Sequence, residues 1–166
     1  MRRGWNAGVI AFGFVLSTGF SQTGTGQDTE LLKAECSVVP PRLSRGQSGK
    51  IVIRFAVPEG VEISPHPDFV IEFNPGPELT FSKNFFTARD LEIEVSEKPD
   101  GEALKLDRSV EIPFTVSTEA KRGTHRLEGR VKYFARSLRE NWCVKETVRF
   151  AAGFYTRTSL VRKTGS

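Results

Sequence analysis

Cysteine and histidine are scarce in this chain of 166 residues. It has two of each, Cys36 and Cys143, His66 and His125. Two cysteines cannot build a disulfide-dense miniprotein. The histidines stand far apart with no ligand-spaced companions, which argues against a zinc centre. Tryptophan and tyrosine occur twice each and methionine once. No G-x-S-x-G elbow and no phosphate-cradling glycine loop is present. Asp68 follows His66 closely, but nothing selects either histidine for a catalytic set. Glu92 and Glu94 share one parity of an extended run and read as a solvated surface. No cofactor is implied. No run approaches the ~20 apolar residues of a membrane-spanning helix.

One apolar stretch is distinctive. Ala7 to Leu16 (AGVIAFGFVL) follows Met1-Arg2-Arg3 and precedes a polar exit beginning at Ser17. This is the pattern of a secretory signal peptide, assigned to residues 1–22, with a polar linker at 23–30. An uncleaved anchor is the alternative. The expected location is therefore periplasmic or secreted, a setting in which disulfides persist. The net charge of +4 falls to +2 without Arg2 and Arg3, which is weak attraction for a polyanion. No nucleic-acid recognition motif is present, so nucleic acid is not an expected partner.

Phenylalanine is abundant, with 13 residues. The chain from 31 to 158 alternates with a period of two. Ile51, Ile53, Phe55 and Val57 share a parity. So do Phe69, Ile71 and Phe73; Leu91, Ile93 and Val95; Val110, Ile112, Phe114 and Val116; Leu127, Val131 and Tyr133; and Trp142, Val144, Val148 and Phe150. That period places one face of each strand in a core and the other in water. Leu32–Val39 and Gly153–Thr158 add further strands. Turn signals separate the runs, at Pro40-Pro41, Pro58-Glu59-Gly60, Asn74-Pro75-Gly76-Pro77, Lys98-Pro99-Asp100-Gly101 and Arg122-Gly123. Seven or eight short strands at this spacing predict an all-β, immunoglobulin-like antiparallel β-sandwich, with residues 159–166 as a tail. Pro113 inside a strand implies an edge or a bulge. Arg126, Arg130 and Lys132 form the outward parity of one strand, and either an acidic partner or solubility explains them.

The cysteines are the candidate reactive groups. A Cys36–Cys143 disulfide is one reading. Strand parity speaks against it, because Cys36 falls with the inward Ala34 and Val38 and Cys143 with the outward Lys145 and Arg149.

Three stretches taken in order, Ile51–Pro67 (IVIRFAVPEGVEISPHP), Val110–Ala135 (VEIPFTVSTEAKRGTHRLEGRVKYFA) and Trp142–Phe150 (WCVKETVRF), resemble the N-terminal periplasmic domain of the thiol:disulfide interchange protein DsbD, including its stand-alone relatives. The resemblance implies an immunoglobulin-like sandwich with a redox pair on a late hairpin. On that pattern Cys143 is the second cysteine and Arg136 stands where the first belongs; Val144 and Lys145 replace the usual proline pair. Tyr133, Arg136 and Trp142 would shape the surroundings of Cys143. An incomplete pair cannot cycle as a local disulfide. Three readings follow: Cys143 as a lone nucleophile, with Arg136 or Lys145 favouring its thiolate; Cys36 as substitute partner; or a redox-inactive docking module. The implied partner is a protein, with a thioredoxin-like one the candidate, and binding is favoured over catalysis. The alternative is an immunoglobulin-like binding or structural module with no redox role.

Overall fold

A computed structural model describes residues 30–67, 69–74, 76–99 and 101–157. The expected signal peptide (1–22), most of the expected linker (23–30) and the expected tail (159–166) lie outside these residues. Twelve strands follow in order: β1 (Lys33–Val39), β2 (Arg42–Ser44), β3 (Ser48–Ala56), β4 (Glu62–Ile63), β5 (Val70–Phe73), β6 (Leu79–Phe81), β7 (Phe85–Thr87), β8 (Val95–Lys98), β9 (Gly101–Leu104), β10 (Val110–Val116), β11 (Gly123–Ser137) and β12 (Trp142–Arg157). Among the described residues no helix is long and apolar enough to cross a membrane.

Two sheets form the body. One runs β1-β3-β10-β6 and the other β2-β12-β11-β5-β7, with β4 pairing β11 beside β5. All pairings are antiparallel except β2 with β12. These orders correspond to the A-B-E-D and A′-G-F-C-C′ sheets of an immunoglobulin-like sandwich. One step differs. The chain visits the D-like position (β6) before the C′-like position (β7), so it crosses between the sheets twice between β5 and β7. A separate hairpin, β8–β9, follows.

The alternation in sequence becomes the core. Ile51, Ile53, Ile112 and Phe114 from one sheet meet Phe73, Val131, Phe150 and Phe154 from the other. Phe73 stacks on Phe81 across the interface with ring centroids 4.6 Å apart, and Phe55 meets Phe69 edge-on at 5.6 Å. Burying each such side chain stabilises the fold by about 1.5–3 kcal/mol. Pro113 pairs with Lys50 of β3, whereas β6 partners only Phe114–Val116. On its other side Pro113 therefore lies on a free edge, where a missing N–H costs nothing.

The run Leu91–Val95 departs from expectation. Leu91 and Glu92 lie in a turn whose amides bond back to Thr87 and Arg89, and Glu92 has φ 52°. β8 begins only at Val95, which is 43% exposed rather than buried. Alternation was present there, but local turn bonds claimed the backbone that a ladder would need.

Candidate functional site

The late hairpin is the longest element among the described residues. β11 and β12 stay in register over fifteen pairs, from Gly123↔Thr156 to Ser137↔Trp142. The tip is formed by residues 138–141, and Asn141 takes φ 55° to close it. Ser137 Oγ accepts from the Glu140 amide, and Trp142 Nε1 donates to Glu140 Oε2 at 2.8 Å. Leu138 and Val144 are exposed there, and so is Cys143. Val144 shares parity with Val148 yet is exposed, although Ala135, its partner in the register, is buried.

Arg136 stands directly opposite Cys143 in the register. Both point to the outer face, yet the guanidinium is held elsewhere. Arg136 Nη2 donates to Glu62 Oε2 at 2.9 Å and to the Glu102 carbonyl at 2.8 Å. Lys98 of β8 takes the other Glu62 oxygen at 2.5 Å. This clamp ties the β8–β9 hairpin and β4 to the tip. Gly101, at φ 122°, lies under the guanidinium, and a Cβ there would sit 2.7 Å from Arg136 Nη1. Hydrogen bonds from Lys98 and Arg136 hold the Glu62 carboxyl below its ordinary range against the opposing effect of burial. Arg136 thus delivers its charge to Glu62. Lys145 lies 6.0 Å above the Phe134 ring.

Tyr133 is placed differently from expectation. It is 3% exposed and faces the core, so it does not line the outer face that carries the thiol. Burial, with the carboxylates of Glu146 and Glu30, pushes its hydroxyl up to about 12. Trp142 is half-buried against the core edge.

The candidate disulfide is not formed, and both thiols are free. Cys36 pairs with Ile53 inside the first sheet, and desolvation pushes its thiol up to about 12. The separation follows from the strands. Pro41 accepts from the Tyr155 amide, and β1 runs beside β12 toward that point. Five residues before Pro41, Cys36 is therefore level with the middle of β12. Cys143 lies roughly seven residues nearer the tip, about 23 Å at strand rise. A disulfide needs Cα atoms within about 7 Å.

Of the residues that brace the tip, Glu62 and Glu102 carried no signal in sequence, and Lys98 and Gly101 carried only a turn signal. Glu62 and Arg136 are 74 positions apart and meet only through the β4–β11 pairing. His66 and His125 do not converge. His66 lies on the surface 3.5 Å from Glu102, and His125 stacks on Phe154 with its Nε2 2.8 Å from the Lys121 carbonyl. Glu94 contacts Lys105 and Arg108, in keeping with a solvated surface role.

No protein-family model matches the sequence, and no curated protein matches it. Solved structures similar in fold include the seventh ScaB type I cohesin of Pseudobacteroides cellulosolvens, at 13% identity and TM-score 0.40, covering 80% of this chain and 97% of that one. The cohesin module of a Clostridium perfringens family 33 glycoside hydrolase matches at 8% identity and TM-score 0.38, over 78% and 98%. Murine CRIg matches at 9% identity and TM-score 0.28, over 76% and 96%. Likeness at this level says nothing about function. The strand orders themselves define the sandwich.

Proposed function

We propose that the chain is an exported β-sandwich docking module that meets a protein partner through the tip of the β11–β12 hairpin. The observation that carries this reading is the exposure of Leu138 and Val144 beside Cys143 on a braced hairpin end. Apolar side chains at a preorganised tip lose little conformational freedom on binding, which leaves more of their burial energy as affinity. The clamp from Glu62 to Arg136 supplies that preorganisation. Wild-type protein and a Leu138→Ser/Val144→Ser double variant, each carrying a photo-crosslinker on Cys143, are to be compared in envelope extract. The expected result is one discrete crosslinked species that the double variant loses and Arg54→Glu, on the remote β3, retains. A species retained by the double variant overturns the reading.

A second reading is thiol exchange by Cys143 in the manner of the DsbD N-terminal domain. It is favoured by the direct pairing of Arg136 with Cys143, the position at which the resemblance expects the missing cysteine. A lone thiolate there attacks the disulfide of a thioredoxin-like partner and releases one of its sulfurs as thiolate, leaving a mixed disulfide. Incubation with such a partner in its oxidised form, followed by a non-reducing gel, tests it. The expected band disappears with dithiothreitol and is missing from Cys143→Ser. A partner that binds Cys143→Ser unchanged, with no such band from wild type, leaves docking alone.

A further inference from the structure

The outer face of the two long strands carries a second surface, distant from the hairpin tip. On β11 the outward residues include Arg126, Glu128, Arg130 and Lys132; on β12 they include Thr147, Arg149, Ala151 and Gly153. The register sets Arg130 directly opposite Arg149, Glu128 opposite Ala151 and Arg126 opposite Gly153. Like charges placed directly across a sheet are destabilising.

The local carboxylates do not balance this charge. Glu72 of β5 is shared, accepting from Arg130 Nε at 2.7 Å and from Lys132 Nζ at 2.6 Å. Arg126 Nε lies 2.9 Å from Glu128 Oε1. Among the described residues no carboxylate lies within ion-pair distance of Arg149. The surface is also concave. A groove of about 530 Å³ is lined by Asn74, Arg126, Arg130, Arg149 and Ala151, with the Arg126-paired carboxylate Glu128 also on its wall, and Ala151 projects little into it.

We propose that this groove seats an extended acidic segment of a partner protein, whose carboxylates pair with Arg126, Arg130 and Arg149. Guanidinium forks match carboxylates bidentately. Arg126 and Arg130 are four residues apart on one strand, about 13 Å. An extended peptide turns every second side chain to one face, so acidic residues four apart span the same distance. An incoming carboxylate also relieves the repulsion between Arg130 and Arg149. The surface stands apart from the tip and does not depend on the tip's being a docking site.

The test uses a fluorescein-labelled peptide of alternating Glu and Ser, followed by anisotropy at low and at physiological ionic strength. A sulfated oligosaccharide and vesicles containing anionic phospholipid serve as competing arms. Wild-type protein is expected to bind the peptide more tightly at low salt. Arg149→Glu is expected to weaken binding at least about tenfold, because it sets a like charge against the ligand. Arg149→Glu gains an opposite charge facing Arg130, so its fold is retained, and circular dichroism verifies this. Arg126→Gln, which leaves that cross-strand pair untouched, should weaken binding without changing the melting curve. Arg54→Glu, on the other sheet, should bind as wild type does. Absence of binding, equal losses in Arg149→Glu and Arg54→Glu, or preference for the oligosaccharide or the vesicles would each overturn the proposal.

Discussion

Gly129 shows how tightly a single residue is bound to its neighbours. It lies in the centre of β11, and a Cβ built on it would run into the Phe150 ring and stand 2.8 Å from the Glu72 carbonyl. The aromatic ring fills the space that a side chain would take, and the backbone oxygen cannot retreat without opening the β5–β11 ladder. Gly129→Ala should therefore destabilise the fold by about 1–3 kcal/mol, the usual cost of overpacking. Urea unfolding checks this, and a change under 0.5 kcal/mol on that scale would mean the ring moves freely. The two thiols separate at the same scale. Cys143 is exposed, while Cys36 is half-buried with its thiol pushed up to about 12. The thiolate is the reacting form. Iodoacetamide at mildly alkaline pH should thus label Cys143 in the native protein and reach Cys36 only after denaturation, as peptide mass mapping would show. Alternation in the sequence already assigned these orientations, because parity is fixed by the pleat.

At the scale of elements, the β8–β9 hairpin depends on the clamp. Arg136 joins it to β11 through the Glu102 carbonyl, and Lys98 joins it to β4 through Glu62. Arg136→Ala removes the charged bonds to a largely covered carboxylate and leaves Lys98 as its partner. A loss of about 1.5–3 kcal/mol is expected. The loss should be local as well as global. Amide exchange in Glu102–Leu104 should accelerate more than exchange at Ile51–Ile53 in β3, and equal acceleration at both would show that the clamp has no special hold on this hairpin. The Lys98-Pro99-Asp100-Gly101 signal located this turn correctly. What the hairpin would dock against was not written in it, since Glu62 reaches Arg136 only after β4 has paired with the far end of β11. The strand expected at Leu91–Val95 failed for a related reason. Its apolar residues alternate, but the Thr87–Asp90 side-chain bonds and the backbone turn at Arg89–Glu92 offered closer partners than any sheet.

For the whole molecule, carboxylates set the response to acid. Glu62 is held below its ordinary value by hydrogen bonds from Lys98 and Arg136, and Glu72 by Lys132 and Arg130. Hydrogen bonds from Lys83 and Thr87 lower Asp90 to about 2. A carboxyl whose pKa is lower folded than unfolded binds fewer protons in the folded state. Its contribution is then complete above the unfolded value, near 4.5 for the glutamates and 3.8 for Asp90, and is lost as pH falls through the folded one. Stability should be flat with respect to these groups near neutrality and decline below about pH 4.5. Thermal melts from pH 7 down to pH 2 test this, and the Glu62→Gln protein should show a shallower decline. A steeper decline in that variant would reverse the assignment.

The sequence alone determined the class of fold, because a period of two, punctuated by proline and glycine, leaves few ways to bury so many phenylalanines and isoleucines. Local spacing also placed strands at Leu127–Tyr133 and Trp142–Phe150 and set the parity of both cysteines, while the late hairpin was what the resemblance implied. Only the tertiary structure decided that β6 precedes β7 across the sheets, that Arg136 answers to Glu62, that Arg149 faces Arg130, and that Cys36 and Cys143 lie far apart. Those outcomes depend on which strands pair and in what register. Register is a property of the assembled sheets, set by long-range packing that no local pattern encodes.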